Sequence, residues 1–311
     1  MTDVLSDILD TVELKATYYF STEFHPPFGI AVPAYKRAAR FHLIIRGECF
    51  VQLEDGQVVT AMPGDLIFVP NGQPHLLSSA LSAECQPLND VIAEARFEGQ
   101  GPFVVGHGEP DQACQMVCGH FDFAEEADHP LLRAVPQILH VSGPDRARRP
   151  LLDDILRLVS HQAFTAGAGA AASIGRLSEA LFIEVLRTSA GEVYGASQMM
   201  AAVTDPHIGR ALGLIHTEIS RGWTVDSLAS AVGMSRSRFA ERFRELVGST
   251  PMSYLAEWRL QRALNRLGRP GLSVKAIAGE VGFHSAAAFS RAFSDRFGKS
   301  PSAYRRSRIG A

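Results

Sequence analysis

The sequence "LASAVGMSRSRF" at residues 228–239 returns in altered form as "IAGEVGFHSAAAF" at residues 277–289. With one extra residue allowed in the second turn, small, glycine and apolar positions match in order, and the match extends to Tyr254 and Tyr304. A pattern that recurs about fifty residues later indicates an internal duplication. Its repeating unit is a helix, a glycine turn and a second helix, so the sequence predicts two helix–turn–helix units.

The shared positions have physical explanations. Thr224 and Ser273 are placed to cap the first helix of each unit, because their hydroxyls can accept from unpaired amides. Gly233 and Gly282 stand at turns that need a left-handed backbone, which a side chain resists. A helix predicted over residues 251–267 connects the units at a fixed separation. Phenylalanines four residues apart face the predicted core, namely Phe239 with Phe243 and Phe289 with Phe293.

Charge is divided unevenly along the 311 residues, whose net charge is −3. Residues 205–311 contain 17 Lys and Arg against 8 Asp and Glu, a balance of +9, whereas residues 1–204 contain 13 against 25, a balance of −12. A basic region of this kind is typical of proteins that meet a polyanion. The sequence shows no secretory signal and no apolar run near the ~20 residues that cross a bilayer. We therefore expect a cytoplasmic protein without membrane contact.

Residues 205–306 resemble the DNA-binding domain of the AraC/XylS family of transcription regulators. The resemblance is strongest in "GFHSAAAFSRAFSDRFGKSPSAYR" at residues 282–305. It implies two motifs, at about residues 224–245 and 273–297, whose second helices enter the major groove about one helical turn (~34 Å) apart on one face of DNA. It also implies a transcription regulator, an activator as in most of the family, with RNA polymerase as a partner.

The second helix of each unit supplies the DNA-contact candidates. Phosphate contacts, which position the protein without reading sequence, are expected from Arg236, Arg238, Arg242 and Lys299. Base-edge contacts are expected from Ser237, Ala240, Glu241, Ala286, Ala287 and Arg291. Ser285 and Ser290 complete the predicted interface. Alanine at three reading positions predicts sparse polar readout, with thymine methyl contacts or DNA shape in compensation.

Residues 16–125 alternate short apolar runs with turn signals such as Asp55-Gly56. Many short strands at this spacing favour a barrel or a double-sheet roll. The stretch "GDLIFVPNGQPH" at residues 64–75 resembles the second motif of the cupin barrels, with His75 pointing inward and Ser79 in the place of the usual Asn. Together with "FHLIIRGECF" at residues 41–50, it resembles the cupin-like sensor domain that is fused to one AraC/XylS subgroup.

The first cupin motif is incomplete, because no second histidine follows His42 by two residues and Glu48 is poorly spaced to act as the usual glutamate. A centre of three His and one Glu is therefore not expected, and no cofactor is required. His42, Glu48 and His75 stay candidates for an effector site. A tetrahedral zinc site is one alternative, with the ligands His42, His75, Cys118 and His120. The other is a metal-free barrel with hydrogen-bonded histidines and buried thiols.

Between the β region and the basic region, apolar residues recur at helical spacing, as in Leu152, Ile155 and Val159. These helices either pack into a core or form a dimer. The sequence thus predicts a two-domain chain, β then α, with a cupin-like β-barrel. Its predicted parts are an effector-sensing domain at residues 1–145, a helical connector at 146–204 and an all-α double helix–turn–helix domain at 205–306.

The predicted sensing domain at residues 1–145 allows three hypotheses about the signal. The signal is a small organic molecule inside the barrel, a metal, or an oxidant that attacks Cys49, Cys114 or Cys118. The predicted partners are double-stranded DNA, a small-molecule effector, RNA polymerase and a second copy of the chain. A cupin-type metal-dependent enzyme fused to a DNA-binding domain is the alternative, which the incomplete first motif disfavours.

Overall fold

The computed structural model describes residues 3–35, 38–70, 72–99, 101–123, 129, 137–165, 167–188, 197–268 and 271–309. These residues form two compact units. The β unit contains residues 14–123 and 137–188, and the helical unit contains residues 3–13, His129 and residues 197–309. The first helix of the chain therefore belongs with the C-terminal helices, whereas the predicted sensing domain began at residue 1. Residues 189–196 of the predicted connector lie outside the described residues.

The elements are numbered here in chain order. The helices are α1 (Val4–Val12), α2 (Leu88–Glu94), α3 (Gly143–Ala147), α4 (Pro150–Phe164), α5 (Ala170–Thr188), α6 (Ser197–Thr204), α7 (Ile208–Thr217), α8 (Val225–Ala231), α9 (Arg236–Val247), α10 (Pro251–Leu267), α11 (Val274–Glu280), α12 (Ala286–Phe297) and α13 (Pro301–Ile309). The strands are β1 (Lys15–Phe24), β2 (Gly29–Val32), β3 (Ala38–Arg46), β4 (Cys49–Leu53), β5 (Val58–Ala61), β6 (Leu66–Val69), β7 (His75–Ser78), β8 (Gln86–Pro87), β9 (Phe103–Val105), β10 (Gln115–Asp122) and β11 (Leu139–Val141). None of the helices in the described ranges is long and apolar enough to cross a membrane.

Two sheets form the β unit. One has the strand order β11-β6-β3-β10-β1-β9, and the other has the order β5-β4-β7-β2-β8. Buried and partly buried residues alternate along β2 and β4, as expected for strands with one face toward a core. The core draws on both sheets, with Phe24, Ile44, Val51, Ile67 and Leu77 among its members. The predicted fold class, a cupin-like β domain followed by an all-α domain, is confirmed.

Helices α4 and α5 pack against the six-stranded sheet on the side opposite this core. The ring of Phe182 on α5 lies 4.9 Å from Phe121 and 6.1 Å from Phe68, and the amide of Ala16 donates to the Glu179 carboxylate at 3.2 Å. The apolar face predicted for α4 is buried within the β unit. Of the two predicted uses of this face, packing into a core is therefore the one observed. Leu151 and Leu158 on α4 remain 55% and 51% exposed. Dimerisation through the connector stays a prediction.

The helical unit contains the two predicted helix–turn–helix units, α8 with α9 and α11 with α12. The hydroxyl of Thr224 accepts from the amide of Ser227 and that of Ser273 accepts from Ala276, both at 3.1 Å, so the predicted caps are confirmed. Gly233 and Gly282 have φ values of +72° and +86°, as the predicted turns require. Ser235 occupies the cap position of α9 but makes no capping hydrogen bond through its side chain.

Helix α10 contributes to the cores of both helix–turn–helix units. It begins and ends at the predicted residues. Near its start, the ring of Tyr254 lies 5.8 Å from Phe243 of the first unit. Near its end, Leu260 and Leu264 pack in one cluster with Phe289 and the rest of the second core. A rigid helix whose two ends are buried in different cores fixes the distance between those cores.

Arg259 joins α10 to the turn of the second unit. Its Nε donates to the carbonyl of Ile219 at 2.9 Å, and its Nη2 donates to the carbonyl of Arg221 at 2.8 Å. A Cβ added to Gly282 would lie 2.7 Å from the Arg259 guanidinium and 2.8 Å from the Cα of Ser220. The second turn is therefore packed against the loop that follows α7.

The first helix of the chain is anchored by Asp7. One carboxylate oxygen lies 2.9 Å from His216 Nδ1 and the other 3.0 Å from Arg262 Nη1. The His216 ring stacks on Trp258 with centroids 3.9 Å apart, and its Nε2 accepts from the hydroxyl of Tyr254 at 2.8 Å. Burial lowers the pKa of His216 below its usual value, so the ring is held in its neutral form. Asp7 thereby attaches α1 to α7 and α10.

The packed second turn predicts a difference between two glycines in the same register. Gly282→Ala and Gly233→Ala both place a side chain at positive φ, which costs about 1–2 kcal/mol. At Gly282 the new methyl also meets the backbone of Ser220, whereas nothing lies within 4 Å of the corresponding position at Gly233. We expect Gly282→Ala to lower the free energy of unfolding by roughly 1–3 kcal/mol more than Gly233→Ala does, as measured by urea denaturation. Equal losses in the two variants would contradict the close packing.

Candidate nucleic-acid interface and effector cavity

Helix α9 presents one apolar and one polar face. Phe239, Phe243 and Val247, spaced by four residues, are buried in the core of the first unit. The opposite face carries the residues predicted to contact DNA. Ala240 on it is partly buried, and its exposed members are Arg236, Ser237, Arg238, Glu241 and Arg242. Five of the six residues predicted on α9 are therefore accessible to solvent.

Arg242 has a partner within the protein. Its Nη2 and Nε donate to Asp205 Oδ2 at 2.9 and 3.2 Å, while the other carboxylate oxygen accepts from the amides of His207 and Ile208 at 2.9 Å. These hydrogen bonds lower the pKa of Asp205 against the opposing effect of its burial. Arg242 therefore holds α9 to the start of α7. Nothing in the sequence pattern of the repeat indicated this pair, since 37 residues separate its members.

Arg236 is also in an ion pair, with its Nη1 3.2 Å from Asp226 Oδ2. Both side chains are exposed, so this pair contributes little to stability and leaves the guanidinium able to exchange partners. Its predicted contact with a phosphate stays a prediction.

Helix α12 also presents one buried and one more exposed side. Phe289 and Phe293 are buried in the second core. The hydroxyl of Ser285 accepts from the amide of Ala288 at 3.1 Å, so it caps the helix. The predicted residues on the outer side are exposed at Ser285, Ala287, Arg291 and Lys299 and partly buried at Ala286 and Ser290. A surface of methyl groups beside one guanidinium suits thymine methyl contacts and a single guanine contact.

A cavity of about 160 Å³ lies within the β unit. Its wall contains three phenylalanine rings in edge contact, since Phe103 lies 5.1 Å from Phe20 and 5.4 Å from Phe24. The sequence reasoning missed most of this site. The full lining is Phe20, Phe24, Ile30, Val32, Tyr35, Arg40, His42, Leu77, Leu88, Asn89, Ile92, Phe103, Cys118 and Gly119.

Behind this cavity, buried polar groups form a chain of hydrogen bonds. His42 Nδ1 lies 3.2 Å from Cys118 Sγ, His42 Nε2 lies 2.9 Å from His75 Nε2, and His75 Nδ1 lies 3.0 Å from the carbonyl oxygen of Gln73. A carbonyl only accepts, so His75 Nδ1 carries a proton and its Nε2 accepts from His42. The remaining nitrogen of His42 then accepts from the Cys118 thiol.

Burial keeps this chain uncharged. It lowers the pKa of His75 to about 4 and holds the pKa of His42 well below its usual value, in both cases with a further contribution from the charge of Arg40. Burial also raises the pKa of the Cys118 thiol. Each group is therefore neutral near pH 7 and has a partner, as in the metal-free alternative.

The predicted zinc site does not fit this geometry. Cys118 and His75 lie against opposite nitrogens of the His42 ring, so the three donors do not converge on one point. His120 Nε2 instead lies 2.8 Å from Asp122 Oδ2. Within the described ranges, no three His, Cys, Asp or Glu side chains are grouped to hold a metal ion.

The predicted effector residues are placed differently from one another. His42 lines the cavity, whereas His75 contacts His42 and is absent from the cavity lining. Glu48 is exposed at the turn between β3 and β4 and does not line this cavity, so its role in ligand binding stays a prediction without support from the cavity. Its position in the turn that starts β4 directs the carboxylate to solvent.

Three of the four cysteines are buried. Cys49, Cys114 and Cys118 lie in the core of the β unit, and Cys85 is partly exposed. A hydrogen bond with Cys114, and then burial, raise the pKa of Cys49 well above its usual value. All four are free thiols. Cys49 and Cys118 are therefore mostly protonated. Burial also shields all three core thiols from reagents, which makes them poor nucleophiles.

Comparison with known proteins agrees with this architecture. Residues 3–191 match the Cupin family and residues 228–307 match the Helix-turn-helix domain family. The chain is 30% identical to the HTH-type transcriptional regulator AlkR of Acinetobacter baylyi over 97% of its own length and 99% of that protein. It is 25% identical to the RCS-specific HTH-type transcriptional activator RclR of Escherichia coli, over 86% of this chain and 84% of that protein.

A solved DNA-binding domain is among the structures to which the chain is similar. The DNA-binding domain of AdpA, solved in complex with a target DNA, is 34% identical and covers 34% of this chain and 98% of that domain, with a TM-score of 0.33. The cupin match spans more than half of the chain, and AlkR matches it along nearly its whole length. The chain is therefore a DNA-binding transcriptional regulator, and it belongs to the AraC-type helix–turn–helix regulators with an N-terminal cupin domain.

Proposed function

We propose that this regulator is a transcription activator controlled by a small molecule that occupies the cavity of the β unit. The observation that carries the proposal is the mainly apolar cavity with a few polar groups, in a chain that also has two helix–turn–helix units. Cavities of this composition are the usual binding sites for small ligands. The name of the relative RclR, an activator, supports the direction of regulation.

The polar faces of α9 and α12 are the surfaces that we propose to enter the major groove. Both helices place their phenylalanine pairs in a core and their N-terminal residues outward. The excess of 17 basic over 8 acidic residues in positions 205–311 supports binding to phosphates. Arg242 is held by Asp205 and is therefore a weaker candidate for a phosphate contact than the exposed Arg238. Lys299 stays a candidate because it is exposed.

A small organic molecule has more support than an oxidant or a metal as the signal. Oxidants react fastest with accessible thiolates, whereas burial shields Cys49, Cys114 and Cys118 and raises the pKa of two of them. Two residues of the candidate zinc site, Cys118 and His75, lie at opposite nitrogens of the His42 ring, so they cannot bind one ion together with His42 in this arrangement. A cupin enzyme, the alternative function, has less support because the related proteins are named as transcriptional regulators.

We further propose that the regulator works in the cytoplasm as a homodimer and contacts RNA polymerase on promoter DNA. Exposed Leu151 and Leu158 lie seven residues apart on α4 and so share one face of the helix. A second copy would remove this apolar surface from water. The protein would have two conformations that differ in activity. The effector would change activity only if it bound one of these conformations more tightly than the other.

Replacement of Arg291 tests the proposed reading of DNA by α12. An operator selected from random duplexes is compared with scrambled DNA in fluorescence anisotropy titrations. Arg291→Ala is expected to lower operator affinity by about 1–3 kcal/mol and to leave scrambled DNA little affected, because a base contact is lost. Lys299→Ala is the matched control and should weaken binding to both duplexes alike. Unchanged discrimination in Arg291→Ala would remove this residue from the reading positions.

The burial of the thiols predicts their order of reaction. In the native protein we expect Cys85 to react with Ellman's reagent on the order of tenfold faster or more than Cys49, Cys114 and Cys118, because burial keeps the reagent away from these three thiols. After unfolding in guanidinium, four thiols should be titrated. Rapid native reaction of a core cysteine, identified by mass spectrometry, would instead favour the oxidant hypothesis.

A further inference from the structure

Arg242 is on the reading helix α9, yet its guanidinium is held by two acidic side chains of the protein. Its Nε and Nη2 donate to Asp205 Oδ2 at 3.2 and 2.9 Å, and its Nη1 donates to Glu245 Oε2 at 3.5 Å. The two carboxylates outweigh the single positive charge of the guanidinium. This part of the helix therefore lacks the excess of positive charge that attracts a phosphate.

Asp205 is the fixed member of this group. Its side chain is 8% exposed, and its Oδ1 accepts from the amides of His207 and Ile208 at 2.9 Å. Ile208 is buried in the core of the helical unit, and His207 Nδ1 donates at 2.8 Å to the carbonyl of Val232, next to the turn of the first unit. The carboxylate therefore cannot follow the guanidinium toward DNA without breaking hydrogen bonds that hold α7 to the first unit.

The two ion pairs of Arg242 differ in strength. The Glu245 side chain is 64% exposed, so its pair with Arg242 contributes little, and water or a phosphate can replace it. Asp205 is buried and accepts two charge-assisted hydrogen bonds from the guanidinium. Moving Arg242 to a phosphate would leave the buried carboxylate without its cation, which is costly. Asp205 is therefore the residue that decides whether Arg242 can meet DNA.

We infer that Asp205 is a positioning residue that raises DNA specificity, because it withholds Arg242 from phosphates and keeps α9 in place. The inference rests on the proposed function, in which α9 enters the major groove. A released guanidinium would border the same open hollow as Arg238, our favoured phosphate contact on this helix. It would then be free to bind the DNA backbone.

The gain from such a release differs between the two kinds of DNA complex. Binding to unrelated DNA depends on phosphate contacts alone, so it becomes stronger with each additional available cation. In the operator complex the base contacts fix the position of the protein, and loss of the tie between α9 and α7 weakens those contacts. Withholding Arg242 therefore increases the ratio of operator affinity to the affinity for unrelated DNA.

Asp205→Asn tests the inference in the full-length protein. Asparagine keeps a side-chain oxygen that can cap α7, but it lacks the charge that holds Arg242. Affinity for a scrambled duplex is measured by fluorescence anisotropy between about 50 and 200 mM KCl. The slope of log affinity against log salt should become steeper by about 0.9 for each bound copy, and at about 100 mM the affinity should rise roughly five- to tenfold. Operator affinity should rise less or fall.

Glu245→Gln is the matched control, because it removes the same charge from the other neighbour of Arg242. It leaves the hydrogen bonds to Asp205 in place, so its salt slope should stay close to that of the wild type. The double variant of Asp205→Asn with Arg242→Met should also return to the wild-type slope, since no guanidinium is left to release. A purely structural role of Asp205 would not produce this return.

Each outcome decides the point. Equal salt slopes in Asp205→Asn and Glu245→Gln, or a steep slope that persists in the double variant, would overturn the inference. A slope that falls by about 0.9 in Arg242→Met alone would do the same, because Arg242 would then already contact a phosphate in the wild type. If Asp205→Asn does not fold, as judged by its thermal unfolding, Arg242→Met decides, and an unchanged slope supports the inference.

Arg238→Met separates failure of the inference from failure of the proposed function. Loss of the favoured phosphate contact should lower the salt slope by about 0.9 for each bound copy. If this decrease is seen while Asp205→Asn behaves like Glu245→Gln, only the inference fails. If Arg238→Met leaves the slope unchanged, α9 does not meet DNA as proposed, and both are overturned.

Discussion

DNA recognition by this chain depends on the packing of α10 into two cores at once. Tyr254 near its start contacts Phe243 of the first unit, and Leu260 and Leu264 near its end pack with Phe289 of the second. Seventeen residues of helix span about 25 Å, and neither end can move without opening a core. The hydrogen bonds of Arg259 to the loop after α7 add a second fixed point. The polar faces of α9 and α12 therefore keep a constant separation, as two successive segments of a major groove require.

The β unit uses the residue types of a cupin metal site for a different purpose. His75 retains the position that the second cupin motif predicts, yet its ring continues a neutral chain of hydrogen bonds from Cys118 through His42 to the carbonyl of Gln73. This chain satisfies buried polar groups that would otherwise destabilise the core. Beside it lies the mainly apolar cavity that we propose as the effector site.

Much of the helical unit was predictable from the sequence, because local rules govern it. The caps Thr224 and Ser273, the two turn glycines and the bounds of α10 all follow from neighbours within a few residues. The pairs Arg242 with Asp205 and His216 with Asp7 were not predicted, since 37 and 209 residues separate their members and no short pattern records them. The sequence could not decide between the zinc alternative and the metal-free alternative for a related reason. The alternation of side chains along a strand predicts the face on which His42 lies. It does not predict that Cys118 contacts Nδ1 of His42 while His75 contacts its Nε2.

Hydroxyl-radical footprinting of the full-length protein on its operator tests the fixed separation most directly. The account predicts, for each bound copy of the chain, two protected patches on one face of the duplex, with centres about 10 base pairs apart. Insertion of five base pairs between them, about half a helical turn, should reduce protection to a single patch and weaken binding, because α10 cannot extend or rotate. Full protection of both patches after the insertion, or one patch on the unaltered operator, would contradict the account.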